Sequence, residues 1–115
     1  MKVLVTGSRN FADVATVFKA LDESNATEII HGGANGADSI ASAWCRQKGV
    51  KETVIRPIFP SRREYYQHRN AEMVGMCDFV IAFWDKKRGG TKFTMTYAKK
   101  RGKTVVTYYE ELPKR

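Results

Sequence analysis

The chain has 115 residues, of which 43% are hydrophobic, and a formal charge of +8. That length predicts one domain over residues 1–115, able to build a core without disulfide or metal staples. No apolar run approaches a membrane span, and Met1-Lys2-Val3-Leu4-Val5 breaks at Thr6-Gly7-Ser8-Arg9 too soon for an export signal, so the expectation is a cytoplasmic protein with no membrane partner.

Lys2-Val3-Leu4-Val5-Thr6 reads as a short apolar strand ending in the turn Gly7-Ser8-Arg9. Asp13 is placed to cap a helix whose Val14, Val17, Phe18 and Leu21 form one stripe, fading at Ser24-Asn25. Thr27 to His31 is a second strand. It breaks at Gly32-Gly33 and enters a helix from about Gly36 to Lys48, with Gly49 as its stop. Thr53 to Ile58 is a third strand, and Pro57 marks it as an edge or a strand end. Ser61 is the expected N-cap of a polar, aromatic helix from Arg62 to about Met76. Asp78 to Trp84 is the most apolar strand and the expected centre of the sheet. After Asp85-Lys86-Lys87-Arg88-Gly89-Gly90, a helix from Thr91 to Arg101 ends at Gly102. Thr104 to Tyr108 is the last strand, and Glu110 to Arg115 a short tail.

Five strands alternating with helices predict an α/β fold, a Rossmann-like doubly wound parallel sheet. Right-handed crossovers in so short a chain favour the order 3-2-1-4-5. Strands 1 and 4 are then neighbours, and the switch point lies between their carboxyl ends. Gly7-Ser8-Arg9, Gly32-Gly33 and Gly89-Gly90-Thr91 all fall on that edge of the sheet, where α/β proteins bind ligands.

The stretch Gly32-Gly33-Ala34-Asn35-Gly36 offers backbone N–H groups and a helix start to an anion. Its spacing is neither the dinucleotide fingerprint nor the P-loop. A phosphate is expected between the Gly32-Gly33 turn and the Gly89-Gly90-Thr91 helix start. Ser8 and Arg9 would meet it through hydroxyl and guanidinium. Asp38 either answers the dipole of its helix or hydrogen-bonds a ribose hydroxyl or the Gly7 turn. Thr91 is the expected N-cap of its helix, and Lys86-Lys87-Arg88 makes that helix start a second anion site. Trp84 and Asp85 follow the fourth strand at the switch point. The helix face Tyr66-Arg69-Asn70-Met73 is spaced to lean over it, whereas His68 points to solvent. His31 reads as structural. Cys45 and Cys77 read as buried thiols, and no C-x-x-C pair suggests a metal. Residues 58–115 carry 13 basic and 6 acidic side chains against 7 and 6 in residues 1–57. That basic half suits a polyanionic partner, a nucleotide, a nucleic acid or an acidic protein.

Gly7-Ser8-Arg9-Asn10-Phe11, the run His31 to Asp38, Arg69-Asn70-Ala71-Glu72-Met73, Ala82-Phe83-Trp84-Asp85 and Gly89-Gly90-Thr91-Lys92 together closely resemble the YspA-like branch of the SLOG superfamily. That Rossmann-like superfamily includes the LOG phosphoribohydrolases and the DNA-processing protein DprA. The resemblance covers nearly the whole chain and implies a nucleotide-type ligand at the switch point, with no further cofactor required. In the phosphoribohydrolases a glycine-threonine motif carries a glutamate three residues after the threonine, and an arginine on the preceding helix works with it. Arg69 matches that arginine, but Thr94 stands in the glutamate's place.

Three functions compete on this reading. The first is a module that senses or sequesters a small nucleotide, such as an ADP-ribose or NAD derivative or a cyclic nucleotide. The second is a nucleotide hydrolase of LOG-like type, in which Arg69 orients the substrate and Asp38 or, better, Asp85 supplies the missing carboxylate. The third is a DprA-like nucleic-acid binder. A homodimer is expected, because Tyr65-Tyr66 and Phe93-Met95-Tyr97 are more apolar than one small domain covers.

Overall fold

The structure is a computed structural model that describes residues 1–58, 62–87 and 89–110. Along the chain run β1 (Lys2–Gly7), α1 (Val14–Asp22), β2 (Glu28–His31), α2 (Ala37–Lys48), β3 (Lys51–Val54), α3 (Arg63–Met76), β4 (Phe79–Phe83), α4 (Gly90–Lys100) and β5 (Thr104–Tyr108). Every ladder is parallel, and the order is β3-β2-β1-β4-β5. Fold class and strand order are those the sequence predicts. The middle strand is β1, not β4, which lies between β1 and β5. Both are apolar enough for the interior, so hydrophobicity alone does not rank them.

The alternation of side chains along each strand divides the core between two layers. Val3, Val5, Ile29 and Ile81 pack with Val17, Leu21, Ala41 and Trp44 of α1 and α2. Leu4, Ile30 and Val80 face the other way, onto Met73, Val74 and Ala98 of α3 and α4. A fully buried side chain such as Leu4 contributes about 1.5–3 kcal/mol relative to exposure.

The ends of the elements follow from local chemistry. Asp13 caps α1 by accepting from the Thr16 N–H at 3.1 Å. Val14 lies outside the expected stripe, 50% exposed, because it is the first residue of the helix and turns away from the sheet; Ala20 is buried with Val17 and Leu21. Gly49 ends α2 at φ 70°. That sharp exit lets β3 start at Lys51, earlier than expected, where Lys51 is in register with Glu28. β3 is an edge strand, as its proline suggests. The N-cap of α4 is Gly89 rather than Thr91, since its φ of 138° suits glycine; Thr91 is already helical. Ser61, expected to cap α3, Arg88 of the basic run, and residues 111–115 of the tail lie outside the described residues. On the expected α3–α4 apolar surface Met95 is buried, whereas Tyr65, Tyr66, Phe93 and Tyr97 are half-buried. Cys45 and Cys77 are buried free thiols. Burial pushes the Cys45 thiol up to about 11. Among the described residues, no helix is long and apolar enough to cross a membrane.

Candidate functional site

The β1–β4 ladder ends at Gly7 opposite Phe83, and the two following loops stay tied. The Ser8 N–H donates to the Phe83 carbonyl at 2.9 Å, and the Asp85 N–H donates to Ser8 Oγ at 3.0 Å. Above this joint opens a cavity of about 930 Å³ at the carboxyl edge of the sheet. Gly7, Ser8, Arg9, Ala34, Asp38, Arg69, Asn70, Asp85, Gly89, Gly90 and Thr91 all line it. The sequence therefore brings most of its candidate residues to one place. Gly32, Gly33, Gly36 and Trp84 do not line that cavity.

The β2–α2 turn explains two of these departures. Asp38 Oδ2 accepts from the N–H groups of Gly32 at 3.1 Å and Ala34 at 3.2 Å. The Gly33 N–H donates to His31 Nδ1 at 2.9 Å. All three turn donors thus have acceptors within the protein, so the phosphate expected at Gly32-Gly33 has no free donors there. The Asp38 carboxylate takes the place foreseen for the anion. It binds this turn rather than the Gly7 turn. Burial raises the Asp38 pKa, against the pull of His31, of the two N–H donors and of Arg69. With Nδ1 accepting, His31 carries its proton on Nε2 and donates it to Glu52 Oε2 at 2.6 Å. His31 is a structural residue, as expected. Gly36 sits below the cavity at φ 79°, where a Cβ would strike the backbone oxygens of Ser8 and Arg9.

Arg69 and Asn70 are buried on α3. Arg69 donates from Nε to Asn70 Oδ1 at 2.8 Å, and from Nη1 to the carbonyls of Gly32 at 2.9 Å and Ile55 at 3.1 Å. Its guanidinium also lies 5.3 Å from the centre of the Tyr66 ring. Burial lowers the Arg69 pKa, while Asp38 works in the opposite direction. The expected face of α3 does lean over the switch point, but Arg69 spends Nε and Nη1 on protein partners. His68 is exposed, as its spacing indicates.

The start of α4 also borders this space. Its N-cap, Gly89, offers no side-chain hydrogen bond, as Gly36 offers none to α2. The first N–H groups of a helix have no intrahelical acceptor, and here that end borders the cavity. Thr94, four residues on from Gly90, is fully buried and donates its hydroxyl to the Gly90 carbonyl at 2.8 Å. Asp85 is half-buried, and its Oδ1 accepts from the Lys87 N–H at 2.9 Å. Trp84 turns outward: its Nε1 donates to the Lys87 carbonyl at 2.8 Å, and its ring lies 6.5 Å from that of Tyr109. Lys86 also turns away, its Nζ 4.7 Å from the centre of the Tyr109 ring. Of the basic loop, Lys87 lines the cavity.

Arg62, Arg63 and Gln67 also line the cavity without having been singled out in the sequence, and so does Phe93, which the sequence offered only for a dimer face. Helical spacing carried a signal for Gln67, three residues before Asn70, but none separates Arg62 and Arg63 from solvated basic residues. Among the described residues, five cations, Arg9, Arg62, Arg63, Arg69 and Lys87, thus border a space with two acids, Asp38 and Asp85. Among the described residues, no group of three or more His, Cys, Asp or Glu side chains is arranged to hold a metal ion.

Comparison with known proteins places this geometry among relatives. The model of the YspA, cpYpsA-related SLOG family (YAcAr) matches residues 1–59. The Gene 61 protein of Mycobacterium phage D29 is 36% identical over 123 aligned residues, covering 93% of this chain and 95% of that protein. Among solved structures, DNA processing protein A (DprA) from Streptococcus pneumoniae superposes with a TM-score of 0.77 at 23% identity, over 92% of this chain and 49% of that one. This chain therefore spans about half the length of DprA. The structural-genomics target TM1055 superposes with a TM-score of 0.67 at 21% identity, over 90% of this chain and 71% of the other.

Proposed function

The chain belongs to the YspA, cpYpsA-related SLOG family, and from that membership we propose that it binds a small nucleotide or nucleotide derivative at the switch point. An ADP-ribose or NAD derivative or a cyclic nucleotide is the class intended. The observation that carries this reading is the uncapped start of α4 opening into a cation-bordered cavity of about 930 Å³. That volume suits a nucleotide, and the helix end suits its phosphate.

Holding the ligand fits the site better than hydrolysing it. The place of the phosphoribohydrolase glutamate is taken by Thr94, whose hydroxyl is turned onto its own helix. Asp38 Oδ2 and Asp85 Oδ1 both accept backbone N–H groups. One oxygen of each carboxylate is thus spent on holding its own loop rather than on a substrate. A homodimer is part of the same proposal, through the half-buried Phe93 and Tyr97, whose rings stack 6.0 Å apart; sedimentation at micromolar concentration reads it.

The experiment is calorimetric titration with AMP, ADP-ribose, NAD and a cyclic nucleotide, beside mass spectrometry of small molecules released from the purified protein. Binding without turnover over a day supports the proposal. Turnover that falls by about 10²–10⁴-fold in Asp85→Asn would replace it with the hydrolase. No nucleotide affinity, but salt-sensitive binding of single-stranded DNA, would replace it with a nucleic-acid binder.

A further inference from the structure

Beside the main cavity lies a smaller depression of about 280 Å³, lined by Arg9, Gly33, Arg56, Tyr66 and Arg69 among others. It shares Arg9, Ala34, Tyr66 and Arg69 with the cavity, so the two are adjoining compartments of one surface. Its chemistry is one-sided. The described residues that line it include three arginines and no carboxylate. Arg9 and Arg69 both approach the Tyr66 ring, at 5.8 Å and 5.3 Å from its centre. Arg56 leans over Gly33: a Cβ there would stand 2.7 Å from Arg56 Nη1. The positive charges of Arg9 and Arg56 both work against that of Arg69, though less than the Asp38 carboxylate supports it. Among the described residues, neither Arg9 nor Arg56 has an ion-pair partner. Three like charges held together at a concave surface favour an anion between them. The backbone of the turn does not supply that anion's donors, because Asp38 and His31 already occupy them.

We propose that this depression is a second phosphate subsite, and that the ligand is a nucleoside carrying phosphates on two sides, of the nucleoside 3′,5′-bisphosphate class. The proposal rests on the nucleotide reading and adds the second phosphate. One phosphate sits at the α4 start and the other among Arg9, Arg56 and Arg69. The Arg56 guanidinium is seated on the turn after β2, while α4 follows β4, two strands away in the sheet. Two strand spacings are roughly 10 Å. Adjacent phosphates of a diphosphate fall far short of that span, whereas the 3′- and 5′-phosphates of one nucleoside stand several ångströms further apart, and the length of the exposed Arg56 side chain closes the remainder.

The test compares AMP, ADP and adenosine 3′,5′-bisphosphate by calorimetry at fixed salt, for the wild type and Arg56→Gln. Arg56 is exposed, and among the described residues it makes no hydrogen bond that holds the fold, so the variant reports on binding. The expected result is a bisphosphate bound about tenfold more tightly than AMP or ADP, an advantage of one charge-assisted contact. Arg56→Gln removes that advantage and leaves AMP unchanged. If AMP binds and the bisphosphate gains nothing, or if Arg56→Gln weakens both alike, the second subsite is overturned while the nucleotide reading stands. If none of the three binds, the nucleotide reading itself has failed and takes the subsite with it. A trideoxyadenylate that binds more tightly than the bisphosphate makes the ligand a strand, and also overturns the proposal.

Discussion

Arg69 Nη1 donates to the Gly32 carbonyl at 2.9 Å, across 37 positions of sequence. With its second bond to Ile55, this one side chain fastens α3 to the chain leaving β2 and the chain leaving β3. The arginine that the family resemblance offers as a catalytic partner is therefore a strut of the cavity wall.

Removing that strut should cost stability before it costs anything else. Arg69→Ala leaves the Gly32 and Ile55 carbonyls without their donor, and about 2–3 kcal/mol of unfolding free energy is the expected loss. Arg69→Lys should recover only part of it, because an ammonium does not reproduce the fork that also reaches Asn70. Urea denaturation of both variants reads the difference. Wild-type stability in Arg69→Ala would mean that the strut bears no load.

Gly36 tests the floor of the cavity. At φ 79° any side chain is strained, and a Cβ would collide with the Ser8 and Arg9 carbonyls. Gly36→Ala should lose at least ~2 kcal/mol, a fall in melting temperature of roughly 8 °C or more. Calorimetric melting checks it, and an unchanged transition would show that the loop after β1 gives way freely.

The two lysines of the β4–α4 loop should separate cleanly. Lys87 borders the cavity, and Lys86 lies over Tyr109 outside it. Lys87→Gln should weaken ADP-ribose by about 0.5–1 kcal/mol and flatten its salt dependence. Lys86→Gln should leave both as they are. Equal effects from the two would mean that the loop acts only through its net charge.

Acid should reveal the pair beneath the glycine turn. A hydrogen bond from Ser42, then the contact with His31, holds Glu52 below the usual carboxylate range; Arg46 adds a smaller pull. A depressed folded-state pKa adds stability above the unfolded value, about 4.5, and that stability is lost as pH falls through the folded value. Glu52→Gln should thus be less stable than wild type at neutral pH, with the gap closing below about pH 4.5. Denaturation midpoints at several pH values measure it. A gap that stays constant into acid would remove Glu52 from the balance.

The architecture was legible because it rests on local signals. Asp13 caps, Gly49 stops, and Ile29-Ile30 or Val80-Ile81 divide between the two faces, all through chemistry visible within a few residues. The gathering of Ser8, Asp38, Arg69, Asn70 and Thr91 followed from strand order, since order decides which loops meet. What spacing did not reveal was who bonds to whom. Asp38 sits where a helix dipole welcomes an acid, but only the folded turn shows that its carboxylate consumes the Gly32 and Ala34 donors. Trp84 lies one residue beyond β4, where the strand's alternation no longer fixes direction. Arg56 precedes a proline, which marks a strand end but says nothing of a guanidinium returning over Gly33.

The central place of β1 also has a cost in time. While the chain is being made, β1 finds β2 early, but its other partner, β4, emerges only after β3 and α3. At ~5–20 residues per second that wait is on the order of seconds. Throughout it the nascent chain presents the bare backbone of its most apolar neighbourhood as an open edge, the condition in which strands recruit the wrong partner. Synthesis that stalls before Phe79 should therefore yield aggregating chains, whereas release after Phe83 lets the gap close.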